Sequence, residues 1–189
     1  GLDPRIGKLF LNAGPGYGGS CLPKDMKALI NFANSTGIKP TLLNAVEEVN
    51  TKQLEQIISI TKKRLGDLYK KRVTILGTAF KPNTDDIRDS IAIELIKKFL
   101  NRKVKITIHD PQAMKNTKNV FGNKINYAKS IKDALSKSQC VVIMTQWKQY
   151  EKLNNDVFTN MTKKIVIDCR RMLAGKQLDV DYFAIGIGK

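Results

Sequence analysis

Cys21 is the residue of this chain best placed to act as a nucleophile. It follows Gly14, Gly16, Gly18 and Gly19 in the run Gly14-Pro15-Gly16-Tyr17-Gly18-Gly19-Ser20-Cys21. Glycines at this density let the backbone take positive φ and let a ligand approach closely. Pro23 suits the first turn of a helix, where its missing N–H costs nothing. The spacing therefore puts Cys21 at a helix mouth, where backbone N–H groups and the helix dipole favour a thiolate. Lys24 and Asp25 follow three and four residues later, on the same side of that helix. A lysine there can stabilise an oxyanion, and a carboxylate can orient or deprotonate water. The other cysteines differ: Cys140 heads the apolar run Val141-Val142-Ile143-Met144, and Cys169 stands between Asp168 and Arg170.

Gly14, Gly16 and Gly19 also fit G-x-G-x-x-G. That pattern marks a dinucleotide site only after a strand, within a βαβ unit, with an acidic residue about 20 positions on. Two helical patterns follow here, and Pro15 interrupts the turn, so the glycines read as a backbone cradle for a substrate. Further on, Lys81 and Arg88 fall in a loop after a strand, and Arg170 ends another strand. Three loop cations on one sheet edge would suit a diphosphate or a uracil-like group.

The elements that must position these groups come in two blocks. Met26, Leu29, Ile30 and Ala33 recur at helical spacing up to Gly37. A long helix is expected from Thr41 to about residue 69, with the shape of a domain crossing or a subunit interface. From Arg72 onward, continuous apolar runs alternate with amphipathic stretches. Strands are expected at 73–77, 104–109, 125–127, 140–145, 165–168 and 182–187. Helices are expected at 90–101 and 130–136, with 112–123 irregular or partly helical and short helices within 149–161. This predicts an α/β protein: a helical segment over 1–70, then a Rossmann-like, mostly parallel sheet with helices on both faces over 71–189. Ligands then belong at the carboxyl ends of the strands.

The chain has 189 residues, 42% of them hydrophobic, and a net charge of +16. This suits a soluble globular protein, and the charge suits an anionic partner. The positive charges are spread over many elements and aromatics are few, so neither a nucleic-acid platform nor a membrane partner is expected. No apolar run reaches the roughly 18 residues of a membrane span. Three widely spaced cysteines and a single histidine argue against metal and disulfide sites and for a reducing cytoplasm.

The motifs together resemble the UDP-glucose/GDP-mannose dehydrogenase family. The resemblance runs through Asp3-Pro4-Arg5-Ile6-Gly7, Phe10-Leu11-Asn12-Ala13-Gly14, Gly16 to Asp25, and Phe80 to Arg88. It continues through His109-Asp110-Pro111, Thr145-Gln146-Trp147, Ile167 to Arg171 and Ile185-Gly186. It implies a four-electron oxidation of a sugar hydroxymethyl group to a carboxylate with two NAD. Cys21 would carry a thiohemiacetal and then a thioester, Asp25 would help activate water, and Lys24 would assist. It also implies that Phe10, Leu11, Asn12, Ala13, Gly14, Tyr17 and Gly18 line the sugar nucleotide. Phe80, Lys81 and Arg170 would hold it, Arg5 would reach a neighbouring subunit's site, and Lys24 and Arg88 would touch NAD. The implied partners are a UDP-sugar, a second subunit through the 41–69 helix, and an N-terminal NAD-binding half that this sequence lacks. Ser20 and Lys81-Pro82-Asn83 favour UDP-glucose over UDP-N-acetylmannosamine or GDP-mannose. The expected behaviour of this chain alone is binding without turnover.

Overall fold

The computed structural model describes residues 1–8 and 11–187. Two helices come first, α1 (Leu22–Ser35) and α2 (Thr41–Leu65). Then follow β1 (Arg72–Leu76), α3 (Ile91–Asn101), β2 (Lys105–His109), α4 (Met114–Phe121), β3 (Asn126–Tyr127) and α5 (Ile131–Leu135). The chain closes with β4 (Cys140–Ile143), α6 (Asn155–Phe158), β5 (Ile165–Asp168) and β6 (Asp181–Ala184). The six strands form one parallel sheet in the order β3-β2-β1-β4-β5-β6. This is the doubly wound arrangement, whose strand order reverses between β1 and β4.

Side-chain alternation along the strands builds two cores. Val73, Ile75, Ile106 and Ile108 face α3 and the second half of α2. Leu76, Val141, Ile143 and Val166 face Leu135, Tyr150 and Phe158 on the other side. Among the described residues, no helix is long and apolar enough to cross a membrane.

The long helix departs from the expected run to residue 69. Gly66, at φ 76°, ends α2 at Leu65. Its two halves also meet different surroundings. Leu54, Ile57, Ile58, Thr61 and Leu65 are buried against the sheet. Leu42, Val46 and Val49 are exposed, as are Leu29 and Phe32 of α1. The core-facing side of the second half is thus already occupied within this chain, and the exposed apolar residues lie on the first half. The stretch 112–123 is mostly a regular helix, α4, whose inward residues include the polar Thr117. Ser130 caps α5 by accepting the Asp133 N–H at 3.1 Å.

The loops at the carboxyl edge converge on one buried carboxylate, Asp110. Its Oδ2 accepts N–H bonds from Thr78 (2.7 Å), Ala79 (3.1 Å) and the Trp147 indole (3.1 Å). Its Oδ1 accepts from Gln112 (2.9 Å) and Ala113 (2.7 Å). The adjacent His109 is also buried. The Tyr150 hydroxyl donates to the His109 carbonyl at 2.8 Å. That single proton is then committed, so the His109 Nδ1–H donates to the Tyr150 oxygen at 2.9 Å.

Two outcomes follow. Asp110→Ala would strand buried N–H groups from three loops and should cost roughly 3 kcal/mol in urea denaturation. Burial lowers the His109 pKa, with Asp110 partly opposing. The unfolded chain then binds this proton more readily, so stability is lost as pH falls through about 6.5. The urea midpoint should be lower at a pH about one unit below that value than at one about a unit above it, and His109→Gln should shrink the difference.

Candidate functional site

The glycine loop is held between α2 and the β1–α3 connection. Asn50 on α2 clasps it: the Tyr17 N–H donates to Asn50 Oδ1 at 2.8 Å, and Asn50 Nδ2 donates to the Tyr17 carbonyl at 3.1 Å. The Tyr17 hydroxyl donates to Glu47 at 2.7 Å. Burial, with the Glu47 carboxylate adding to it, pushes the Tyr17 pKa up to about 12, so the phenol stays a neutral donor. On the other side, the Gly19 N–H donates to the Arg88 carbonyl at 3.1 Å.

The glycines are required by contact. Gly16 takes φ 119° and Gly19 φ 92°, where a side chain is strained. A Cβ on Gly19 would meet the Phe80 ring at 2.6 Å, and one on Gly18 would press on the Asp89 carbonyl. A Cβ on Gly14 would lie 2.5 Å from Arg170 Nη1. Three of the four glycines thus face the α/β half, and Gly16 faces Asn50. Protein atoms therefore already pack against all four glycines. The first turn of the sheet is filled as well, since Gly77 packs on Thr145 while Asp110 takes the Thr78 and Ala79 N–H groups.

A cavity of about 440 Å³ opens beside the loop, lined by residues that include Asn12, Gly14, Tyr17, Met26, Val46 and Arg170. Arg170 enters it from the end of β5. Its N–H donates to Asp168 Oδ1 at 3.0 Å, and its Nε donates to the Met144 carbonyl at 2.9 Å. Burial lowers its pKa from that of a free guanidinium, though it remains a cation. One guanidinium is thus held in fixed orientation in an otherwise mixed cavity.

Cys21 is the N-cap of α1, which starts at Leu22, one residue before Pro23. It is exposed, whereas Cys140 and Cys169 are buried and their thiols are pushed up by desolvation. Ser20 Oγ lies 3.7 Å from Cys21 Sγ. Lys24 and Asp25 are exposed on the same turn and pair at 3.6 Å. Arg88 sits near enough to Cys21 for the thiol's charge to raise the guanidinium pKa slightly, behind the larger effect of Asp86, which Arg88 grips at 2.7 Å. Phe80 underlies Gly19, and Lys81 Nζ lies 5.4 Å from the Phe80 ring centre.

Other expected residues fall outside this cluster. Arg5 is exposed and holds Asp3 at 2.7 Å at the chain start. Leu11 is exposed and Ala13 half-buried, and neither lines the cavity. Phe10 lies outside the described residues. The sequence reading missed Glu47 and Asn50. Their spacing of three residues, beside the apolar Val46 and Val49 on α2, was the available signal.

The fold and its carboxyl-edge cavity define a doubly wound α/β domain joined to a cysteine-bearing helical segment. Comparison with known proteins agrees. Residues 74–175 match the UDP binding domain of the UDP-glucose/GDP-mannose dehydrogenase family, and residues 1–52 match that family's central domain. The chain belongs to this family. It is 43% identical over 182 residues to the UDP-glucose 6-dehydrogenase AglM of Haloferax volcanii, covering 96% of this chain and 41% of that protein. It is 38% identical to the UDP-glucose 6-dehydrogenase of Rickettsia felis, covering 98% of this chain and 43% of that protein. A solved UDP-glucose dehydrogenase from Pyrobaculum islandicum superposes with a TM-score of 0.86 at 37% identity, over 96% of this chain and 40% of that one. The chain therefore spans about two fifths of the length of the curated relatives it matches.

Gly19→Ala should place a methyl group against Phe80 at a positive φ. The expected cost is about 2 kcal/mol in chemical denaturation, from strain plus overpacking.

Proposed function

We propose that this chain is the nucleotide-sugar-binding and nucleophile-bearing part of an NAD-dependent UDP-glucose 6-dehydrogenase. The observation that carries the reading is the docking of the Cys21 loop onto the β1–α3 loop. One cavity then borders both α1 and the half-buried Arg170. A diphosphate in that cavity would meet the fixed guanidinium, and the sugar would extend toward the start of α1.

The chain's own chemistry would be covalent. The Cys21 thiolate adds to the carbon of a sugar aldehyde, giving a thiohemiacetal with its oxyanion near Lys24. Once that carbon is oxidised to a thioester, water assisted by Asp25 adds to it, the carbon–sulfur bond breaks, and the thiolate leaves a carboxylate. The two two-electron oxidations, of the hydroxymethyl group to the aldehyde and of the thiohemiacetal to the thioester, would draw on NAD as the oxidant. It would be brought by a dinucleotide-binding half beyond this sequence, with Lys24 and Arg88 as this chain's contacts to it. The exposed apolar faces of α1 and of the first half of α2 are the surfaces left for that half or for a second subunit. Arg5 would serve a neighbouring subunit's site. A reducing cytoplasm suits the free thiol of Cys21.

Calorimetric titration of the 189-residue chain tests the binding half of this reading. UDP-glucose should bind more tightly than GDP-mannose, and Arg170→Ala should weaken it by about tenfold or more. Tighter GDP-mannose binding would reassign the substrate. With UDP-glucose and NAD, the chain alone should give no NADH. Adding the N-terminal half of a relative should restore NADH and uronate formation, and Cys21→Ser should abolish uronate formation while leaving UDP-glucose binding in place.

A further inference from the structure

The edge of the sheet opposite the glycine loop carries a second cavity, of about 300 Å³. It exists because α5 is only five residues long and cannot cover the adjoining sheet face. On that face β1 and β2 present Thr74 and Thr107, whereas their other face carries Val73, Ile75, Ile106 and Ile108. Asn126, Ser136 and Ser138 complete the polar lining, and Arg72, Lys105 and Lys137 supply positive charge. No acidic residue lines it. Among the described residues, no carboxylate lies within salt-bridge distance of those three cations.

The charge concentration follows from topology. All strands are parallel, so every strand start lies on this edge. The segments entering β1, β2 and β4 are Lys70-Lys71-Arg72, Arg102-Lys103-Val104-Lys105 and Lys137-Ser138-Gln139. Helix carbonyl ends account for part of this: Lys62, Lys63, Arg64 and Lys98 lie in last helical turns, and Arg102 donates to the Lys98 carbonyl. Lys137 likewise follows the C-cap of α5, but helix ends do not account for Arg72 or Lys105. Lys70, Lys103 and Lys137 also hold φ of 56°, 58° and 60°. Glycine would adopt those angles without strain, so lysine keeps charge there against backbone preference. The segments are stitched together, Lys70 N–H to the Lys103 carbonyl (3.0 Å), Lys105 N–H to that of Lys71 (2.8 Å), and Arg72 N–H to Gln139 Oε1 (3.0 Å). The cations therefore stand on a fixed frame.

We propose that this cavity binds a small polyvalent anion of the polyphosphate class, separately from the site at the glycine loop. The concave shape and the rim of Arg72, Lys105 and Lys137 suit a compact anion, and no aromatic side chain lines the cavity for stacking a base. The probe is sodium tripolyphosphate, titrated into the chain by calorimetry at physiological salt. Lys105→Ala/Lys137→Ala removes two exposed cations from this edge, and Lys81→Ala/Arg88→Ala removes two from the opposite edge. The net charge change is the same in both. The expected result is one saturable site, weakened by about tenfold or more in the first variant and by less than about twofold in the second. Equal weakening in both, or no saturable binding, would overturn the proposal. So would a duplex DNA oligonucleotide that binds this edge more tightly than tripolyphosphate, with a steep salt dependence.

Discussion

The contact between the glycine loop and the β1–α3 connection is the constraint on which the rest of the candidate site depends. Gly18 and Gly19 have no side chains because Asp89 and Phe80 occupy that space, and the Gly19 N–H is satisfied by the Arg88 carbonyl. The contact joins the first helical segment to the sheet at the place where Cys21 enters α1. A longer side chain at either glycine would lift the loop off the sheet. The start of α1 and Arg170 would then no longer border one cavity.

The second constraint is the division of α2. Its buried half is part of the hydrophobic core and fixes the helix to the sheet. Its exposed half projects beyond that core and carries Glu47 and Asn50, which hold Tyr17 from the other side. The glycine loop is therefore clamped by two elements that are themselves locked together. Asp110 does the equivalent task at the sheet edge, where one carboxylate sets the positions of the segments after β1, β2 and β4. These devices are polar and buried, so each is satisfied in full or is costly.

Much of this was legible in the residues. The continuous apolar runs identified the six strands and the parallel sheet, because strands covered on both faces leave no polar alternation. The glycine–cysteine run and its abrupt helix start placed Cys21 correctly at the mouth of α1. The glycines' G-x-G-x-x-G spacing lacks the βαβ context of a dinucleotide fingerprint, since two helices follow it before β1. Other features were not legible. A stripe that includes Thr117 hides the amphipathicity of α4. The partners of Asp110 come from segments far apart in sequence, so its role as a hub has no local signature. Nor does periodicity reveal that α2 is buried along only half its length, because Leu42, Val46 and Val49 continue the apolar pattern of the buried half.

The proposed function puts the nucleotide-sugar in the cavity beside α1, within reach of Cys21 at that helix's N-cap. Cys21 is the only exposed cysteine, since Cys140 and Cys169 are buried. Alkylation of the native chain by iodoacetamide therefore reads Cys21 alone. Saturating UDP-glucose is predicted to slow that alkylation severalfold and to leave a control peptide thiol unaffected. An unchanged Cys21 rate under conditions where calorimetry shows UDP-glucose bound would contradict the account.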